Sequence, residues 1–241
     1  MRIAIISDIH GNFEAFKKVL NDIDQYSVNL IVNLGDSIGY GPDPEMVLSV
    51  IEKRGIKSIL GNHEQAVLDK TYREFFNHGA KNSIEQTIKF LTSASLSYIK
   101  YFPKVRTIDG ALFVHGCPPD SNTIYLNHLT YVEMKSVFES FSNQLCFVGH
   151  THMFKLFSYD GKSIDSYPLT PGYKNLPPGY RHIINVGSVG QPRDADKRAG
   201  YAIWDTAQNC LEIRRITYDI QSTVNKIIER GFEKKDADRL F

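Results

Sequence analysis

Residues 1–12 read MRIAIISDIHGN, in which a short apolar run is followed at once by the polar side chains of Asp8, His10 and Asn12. The run from Ile3 to Ile6 is rich in β-branched residues, so it predicts a buried strand. It is too short for a membrane span or for a signal peptide. Residues 13–23 then carry apolar side chains at helical spacing. A buried strand that leads through polar residues into a helix is typical of an α/β sheet.

The same strand–helix pattern continues to residue 60. Apolar runs at 30–34 and 56–60 flank a helical pattern at 44–51. Short unbroken apolar runs separated by helices predict parallel strands with both faces covered, joined by right-handed crossovers. Residues 62–102 show helical spacing and no clear strand, so we interpret them as a helical insertion.

The second half of the chain is predicted to add strands and two further helices. The turn dipeptides Asp109-Gly110 and Asp160-Gly161 each separate two apolar runs, which predicts tight strand pairs. Further strands are expected at 145–148, 183–186, 201–205 and 211–216, and helices at 130–141 and 220–230. Residues 171–179, rich in Pro, Gly and Tyr, are predicted to form a surface loop. The charged residues 233–239 are predicted to form a solvated end.

The composition is that of an ordinary globular protein, with 42% hydrophobic residues, 23% charged residues and a formal net charge of +1. A chain of 241 residues without a repeat or linker is expected to form one domain, residues 1–241. The balanced charge gives no reason to expect a nucleic acid or a membrane as partner. Three widely spaced cysteines without a CxxC pair fit a reducing compartment, so a cytoplasmic location is expected.

Side chains that can bind a metal or transfer a proton follow five of the predicted strands. They are Asp8, His10, Asp36, Asn62, His63, His115, His150 and His152. The loops beyond the carboxyl ends of strands form the ligand crevice of an open α/β sheet, so these side chains are expected to converge. Taken alone, an aspartate after a strand often caps a helix, and a lone histidine usually has a structural role. Five such strand ends in one chain are not explained by independent structural roles.

The chemistry of this ligand set points to divalent cations. Mixed imidazole, carboxylate and amide ligands suit Mn²⁺, Fe²⁺, Co²⁺ or Zn²⁺, and the absence of cysteine argues against a structural zinc site. Seven candidate ligands are too many for one ion and fit two. Two ions about 3.5–4 Å apart are the arrangement of two-metal phosphatases and nucleases, in which they lower the pKa of a shared water and neutralise phosphoryl oxygens.

Five sequence blocks resemble, in order, the signature motifs of the calcineurin-like metallophosphoesterase superfamily. They are SDIHGN (7–12), NLGDSIGYGPDP (33–44), LGNHE (60–64), FVHG (113–116) and VGHTH (148–152). Residues 184–205, INVGSVGQPRDADKRAGYAIWD, also resemble the C-terminal block of the small prokaryotic phosphoesterase branch. The resemblance implies a four-layer α/β/β/α sandwich of two facing mixed sheets flanked by helices, with the metals at one edge.

The resemblance also implies how the ligands divide between two ions. Asp8, His10, Asp36 and His152 would hold the first ion. Asp36, Asn62, His115 and His150 would hold the second, with Asp36 between them. Mn²⁺ is the first expectation for both positions, and Fe, Zn, Ni, Co and Mg are the alternatives.

Five further residues are given roles near the metals. His63 would lie over the substrate, where it would stabilise the phosphoryl group or protonate the leaving oxygen. Glu64 is expected to orient His63 or a neighbour. Asn12 is expected either to support the same rim or to cap the first helix. Tyr40 is expected either to line the pocket or to pack within its loop, and Arg193 to lie near the substrate or to be structural.

The sequence departs from related families at the positions of phosphate-binding arginines. Protein serine/threonine phosphatases and symmetrical dinucleoside tetraphosphatases carry, as families, a GDxVxRG pattern, and the protein phosphatases also have an arginine directly before GNHE. Here Gly39-Tyr40-Gly41 and Leu60 stand at these places. Because a diester carries a single charge and needs less neutralisation, this departure favours small nucleotide-like phosphodiesters as substrates.

Other functions stay open at this point. They are asymmetric hydrolysis of a dinucleoside polyphosphate, broad phosphomonoesterase activity and a non-catalytic metal-binding scaffold. A nuclease is less favoured, because the chain has no stripe of Lys and Arg with interleaved aromatic residues.

Overall fold

The computed structural model describes all residues from 1 to 241, and two six-stranded sheets form its centre. The strands are β1 (Arg2–Ile6), β2 (Leu30–Asn33), β3 (Lys57–Ser58), β4 (Val105–Ile108), β5 (Ala111–Val114), β6 (Leu145–Val148), β7 (Phe154–Tyr159), β8 (Ile164–Pro168), β9 (Gly172–Asn175), β10 (Arg181–Val186), β11 (Ala199–Asp205) and β12 (Cys210–Ile216). The first sheet has the order β3-β2-β1-β11-β12-β9, and the second has the order β4-β5-β6-β10-β7-β8.

Nine α-helices surround the sheets. They are α1 (Phe13–Ile23), α2 (Pro44–Lys53), α3 (Asn62–Leu68), α4 (Lys70–Arg73), α5 (His78–Ile88), α6 (Ser93–Ile99), α7 (Tyr131–Glu139), α8 (Ile220–Glu229) and α9 (Lys234–Asp238). A short 3₁₀ helix covers Leu126–His128. Four of the helices, α3 to α6, lie between β3 and β4. None of the helices combines the length and the apolar character that a membrane crossing needs.

Alternate residues of β1 face two different layers, which explains why its apolar run is unbroken. Ile3 and Ile5 belong to the core between the two sheets, whereas Ala4 and Ile6 pack against the helices α1 and α2. Helix α7 covers the outer face of the second sheet in the same way, through Met134 and other apolar side chains. The predicted four-layer α/β/β/α arrangement is therefore confirmed.

Parallel pairing is confined to part of each sheet. β1 pairs in parallel with β2, and β2 with β3, as the strand–helix pattern predicts. β11 then lies antiparallel on the other side of β1, so the first sheet is mixed. In the second sheet β6 is parallel to both β5 and β10.

The prediction of a surface loop at 171–179 is wrong for its first half, because β9 occupies Gly172–Asn175. The strand lies at the edge of the first sheet and pairs with β12, with Lys174 opposite Leu211. An edge strand is held by backbone hydrogen bonds and can present polar side chains to water, so it leaves no apolar run in the sequence.

The prediction of a solvated end at 233–239 is wrong in part, because this segment contains α9, which packs against the protein through Asp236 and Ala237 while its other residues remain more exposed. Ala237 and Leu240 are at most 3% exposed and form a cluster with Ile227 and Phe232. Asp238 and Arg239, which lie between these two residues, are exposed, and they obscured the apolar positions in the sequence. The packing brings the Arg239 guanidinium to 5.5 Å from the ring centroid of Tyr40, which lies in the loop after β2.

Candidate metal centre and its pocket

The loops that follow β1, β2, β3, β5 and β6 meet at one edge of the paired sheets. They bring together all seven predicted metal ligands, each at most 7% exposed to solvent: Asp8, His10, Asp36, Asn62, His115, His150 and His152. Three groups of these side chains and His63 place their ligand atoms within 4.8 Å of one another. The expected convergence of the strand ends is therefore present in the structure.

Five of the seven predicted ligands have a left-handed backbone conformation. Their φ angles are 53° at Asp8, 49° at His10, 53° at Asp36, 66° at His150 and 61° at His152. This conformation costs an L-residue about 1–2 kcal/mol, and it persists where surrounding structure imposes it, most often at functional sites. The tight turns allow consecutive or alternate residues to point into one small volume.

Backbone carbonyl groups fix the orientation of three imidazole rings. The Nδ1 atom of His10 lies 3.1 Å from the Ile38 carbonyl oxygen, and that of His115 lies 2.8 Å from Leu34. The Nδ1 atom of His152 lies 2.6 Å from the carbonyl oxygen of Gln191. Because a carbonyl oxygen only accepts hydrogen bonds, each Nδ1 donates and each Nε2 directs a lone pair into the centre.

The first cluster consists of the ligand atoms of Asp8, His10 and His152, and it requires a positive charge between them. The Nε2 atoms of His10 and His152 are 3.0 Å apart, although both rings use Nδ1 as donor. Asp8 Oδ1 lies 3.3 Å from His152 Nε2 and has no hydrogen-bond partner. Its Oδ2 atom accepts hydrogen bonds from the Ser7 hydroxyl and from the backbone N–H of His150. Facing lone pairs and a free carboxylate oxygen form a set that a divalent cation satisfies.

The second cluster is arranged around His115. Its Nε2 atom lies 2.9 Å from Asn62 Oδ1 and 3.1 Å from His150 Nδ1. Asp36 Oδ2 is 3.3 Å from this nitrogen and 3.8 Å from His10 Nε2, so the carboxylate lies between the two clusters. Its other oxygen, Oδ1, accepts the backbone N–H of His63 at 2.9 Å. Each buried carboxylate thus has one oxygen bound to backbone N–H and one turned toward imidazoles.

The charges of the two clusters act differently on different rings. Burial alone would lower the pKa of His115, but the Asp36 carboxylate outweighs it and raises this pKa to about 9, so the inward Nε2 of this ring favours a positive charge beside it, whether a proton or a metal cation. Burial lowers the pKa of His150 to about 3 and that of His10 below its usual range, which keeps both rings neutral as metal ligands must be. The pKa of Asp8 is lowered although burial opposes this, because of the neighbouring His152.

Of the two contacts expected for Glu64, the structure shows the one with a neighbour and not the one with His63. Its carboxylate accepts backbone N–H groups of Asp36 at 2.9 Å, Ser37 at 2.6 Å and Gly61 at 3.1 Å. It therefore holds the loop that carries Asp36, and no hydrogen bond joins it to the imidazole of His63. Burial, together with the negative charge of Asp36, raises the pKa of Glu64 to about 7.

Asn12 has both of the roles considered for it. Its side-chain oxygen accepts the backbone N–H of Ala15 at 3.1 Å and so caps α1. Its amide nitrogen donates to the carbonyl oxygen of Gly190 at 2.9 Å. This second bond connects the loop after β1 with the loop that carries Gln191 and Arg193.

A cavity of about 480 Å³ opens outward from the ligand clusters. Tyr40, His63 and Arg193 all line it, so the residues predicted to lie near the substrate are brought together. Arg193 is the only lysine or arginine among the lining residues. Its charge reaches the centre, since it contributes to lowering the pKa of His152 after burial.

His63 stands at the boundary between the clusters and the cavity. Its Nδ1 atom is buried without a hydrogen-bond partner, and its Nε2 atom lies 3.9 Å from Asp36 Oδ2. The ring lies so close to Gly39 that a Cβ atom there would come within 2.1 Å of Nδ1. Burial lowers the pKa of His63 to about 4, against the opposing effect of Asp36.

Several aromatic residues of the cavity were not predicted from the sequence. They are Tyr72, Phe75, Phe76 and Tyr125. None belongs to a recognisable motif, and they come from two separate stretches of chain. The one available signal is the density of aromatic residues in YREFF, residues 72–76, within a segment that is otherwise polar.

The family to which the chain belongs follows from comparison of its sequence with known proteins. The model of the calcineurin-like phosphoesterase superfamily domain matches residues 1–209. The chain belongs to the calcineurin-like phosphoesterase superfamily. This confirms the predicted resemblance, and members of the family are metal-dependent hydrolases that act on phosphoester bonds.

Individual relatives cover almost the whole chain. A metallophosphoesterase of known structure from Sphaerobacter thermophilus is 33% identical, with a TM-score of 0.87 over 100% of this chain and 98% of its own. An uncharacterized protein of Methanocaldococcus jannaschii is 34% identical over 99% of this chain and 97% of its own. A hypothetical protein of Pyrococcus horikoshii, 19% identical, shares the fold with a TM-score of 0.78 over 100% of this chain and 97% of its own.

Glu64→Gln tests the role of Glu64 in holding the metal-binding loop. The substitution places an NH₂ group against backbone N–H donors, so the Asp36 loop should lose its support. We expect the affinity for Mn²⁺ to fall about 10- to 100-fold, the usual effect of losing a group that orients a metal ligand. Calorimetric titration with Mn²⁺ measures the change. Glu139→Gln, at an exposed position on α7, is the control; equal affinities in both variants would contradict the assigned role.

Proposed function

We propose that this chain is a dinuclear-metal phosphodiesterase that acts on small nucleotide-like substrates, with Mn²⁺ as the foremost metal. The observation that carries the proposal is the pair of close nitrogen contacts on either side of Asp36. These are His10 Nε2 to His152 Nε2 at 3.0 Å and His115 Nε2 to His150 Nδ1 at 3.1 Å. One cation between the facing nitrogens would satisfy each contact. Asp36 Oδ2 lies 3.8 Å from His10 Nε2 and 3.3 Å from His115 Nε2, so it is close to both positions.

The proposed ligands divide into two sets that share Asp36. The first set is Asp8, His10, Asp36 and His152, and the second is Asp36, Asn62, His115 and His150. When bound, two such ions lower the pKa of a shared water and neutralise the phosphoryl oxygens during in-line attack. The protein supplies the fixed orientation of the imidazoles, the two inward carboxylate oxygens and the exclusion of bulk water from a buried centre.

Two side chains are proposed to act on the substrate itself. His63 lines the cavity next to the proposed metal ligands, where its neutral ring can donate a hydrogen bond to a phosphoryl oxygen. It can give a proton to the leaving oxygen only as imidazolium, a form that the negative charge of a bound phosphate would favour. Arg193 lies in the same cavity and can pair with a phosphoryl oxygen. Arg193 does not occupy either of the positions at which related families carry an arginine, because it comes from the loop after β10.

The preference for diesters is argued from the charge of the cavity. Arg193 supplies its single cationic side chain, and Tyr40 stands where related families carry an arginine. A phosphomonoester brings a second negative charge at neutral pH, which this cavity has fewer groups to neutralise. A phosphodiester brings one, which suits one arginine and two metal ions.

The relative rates of diester and monoester hydrolysis test this preference. With Mn²⁺-loaded protein, kcat/KM for bis(p-nitrophenyl) phosphate should exceed that for p-nitrophenyl phosphate by about 10-fold or more, since the leaving group is the same. Release of p-nitrophenolate measures both reactions. A clear preference for the monoester would contradict the proposed substrate class and favour the phosphomonoesterase alternative.

His63→Ala separates an enzyme from a metal-binding scaffold. We expect nearly unchanged metal content and a fall in kcat of about 10²–10⁴, the usual contribution of an acid–base group. His63→Gln keeps an N–H donor, so partial recovery of kcat would indicate a donated hydrogen bond, and no recovery would indicate proton transfer. His78→Ala, at an exposed position, is the control. An unchanged rate in His63→Ala would remove His63 from the proposed mechanism.

A further inference from the structure

The outer part of the cavity is formed by aromatic side chains from two separate segments. Tyr72, Phe75 and Phe76 come from α4 and the turn that follows it, and Tyr125 comes from the loop after β5. We call these four residues the aromatic cleft. The aromatic cleft adjoins the metal centre, because Tyr125 packs on His150 and Phe76 packs on His63.

Three of the four rings of the aromatic cleft are held in place by contacts that lead back to the centre, and Phe75 is not among them. Tyr125 stacks on His150 with ring centroids 3.9 Å apart and planes inclined by 27°. Phe76 meets His63 edge-to-face at 5.5 Å and Tyr72 at 5.9 Å. Rings fixed in this way present flat apolar surfaces at little further cost in side-chain entropy, which favours the binding of another flat ring.

Two features of the aromatic cleft are unexplained by packing within the protein. Phe75 is 85% exposed although it lines the cavity, so a large apolar side chain stands open at its mouth. The hydroxyl of Tyr72 is buried and has no hydrogen-bond partner within the protein. A buried hydroxyl without a partner costs free energy, and a ligand could bond to it only after the Tyr72 ring had shifted.

The chemistry of these surfaces selects the occupant. A nucleobase has two flat faces for stacking and a polar edge for a few hydrogen bonds, which matches aromatic rings beside a few polar side chains. The side chains of Asn77 and Thr123 also line the cavity and add polar groups. A free sugar would need many more polar partners than this lining offers, and an aliphatic chain would remove Asn77 and Thr123 from water without giving them a hydrogen bond. A volume of about 480 Å³ is in the range of pockets for small organic ligands.

We propose that the aromatic cleft binds the base of a nucleoside whose phosphate lies at the metal centre beside Arg193. This rests on the proposed function in one respect only, namely that a phosphoester binds at the ligand clusters. The cleft then acts as the specificity determinant, since it distinguishes a nucleotide from a phosphoester without an aromatic ring. Phe75 and Tyr125 are the residues assigned to stacking, and Asn77 and Thr123 to the polar edge of the base.

Binding of two matched ligands tests the assignment. Adenosine 5′-monophosphate and ribose 5-phosphate share the sugar phosphate and differ by the base, so calorimetric titration of Mn²⁺-loaded protein with each isolates the effect of the base. Stacking on an aromatic side chain strengthens binding by roughly 5- to 150-fold per base. We expect adenosine 5′-monophosphate to bind at least about 10-fold more tightly.

Two exposed aromatic residues provide a matched pair of variants. Phe75 is 85% exposed and lines the cavity, whereas Tyr101 is 84% exposed and does not. Phe75→Ala should weaken the binding of adenosine 5′-monophosphate by about 5-fold or more and leave the binding of ribose 5-phosphate unchanged. Tyr101→Ala should change neither. Tyr125→Leu repeats the test on the other side of the cleft.

The outcomes for the aromatic cleft and for the proposed function can be told apart. Equal affinity for the two ligands, no binding of either, or an equal loss of both in Phe75→Ala would overturn the assignment of the cleft. Failure of the metal-loaded protein to hydrolyse any phosphoester would overturn the proposed function. Base-dependent binding would still be measured in that case, because calorimetry does not require turnover.

Discussion

The orientation of buried imidazoles by backbone carbonyl groups is the constraint on which the centre depends. Once the Nδ1 atoms of His10, His115 and His152 donate to carbonyl oxygens, their Nε2 lone pairs have to point inward. Inward lone pairs about 3 Å apart beside the carboxylates of Asp8 and Asp36 form a site for cations and for little else. The identity of the ligands, the spacing of the two clusters and the proposed chemistry all follow from this arrangement.

The free-energy cost of this arrangement explains why two packed sheets are needed to hold it. Left-handed backbone at five candidate ligands and carboxylates removed from water are unfavourable unless neighbouring structure holds them. The first sheet supplies Asp8, Asp36 and Asn62, and the second supplies His115 and His150. Packing of the two sheets therefore assembles the centre. Bonds such as those from Glu64 to the Asp36 loop then fix the turns against that packed core.

The features that could be predicted from the sequence are those that burial and metal binding impose on residues close together in the chain. Continuous apolar runs marked β1 and β2, and polar residues after the strands marked the candidate ligands, since both features are local. β9 was missed because backbone pairing holds an edge strand, and the end of the chain was misread because Ala237 and Leu240 are separated by charges. The position of Glu64 in GNHE did not reveal that its side chain faces the Asp36 backbone. The aromatic cleft exists only when Phe76 and Tyr125, far apart in sequence, are brought to the same cavity.

The number and coupling of bound metal ions test the central claim most directly. Protein reconstituted with Mn²⁺ should hold two ions per chain by elemental analysis. Its electron paramagnetic resonance spectrum should be that of two exchange-coupled ions, since Asp36 is within reach of both clusters. One ion per chain at saturating Mn²⁺, or two ions without magnetic coupling, would contradict a centre in which one carboxylate joins two metal positions.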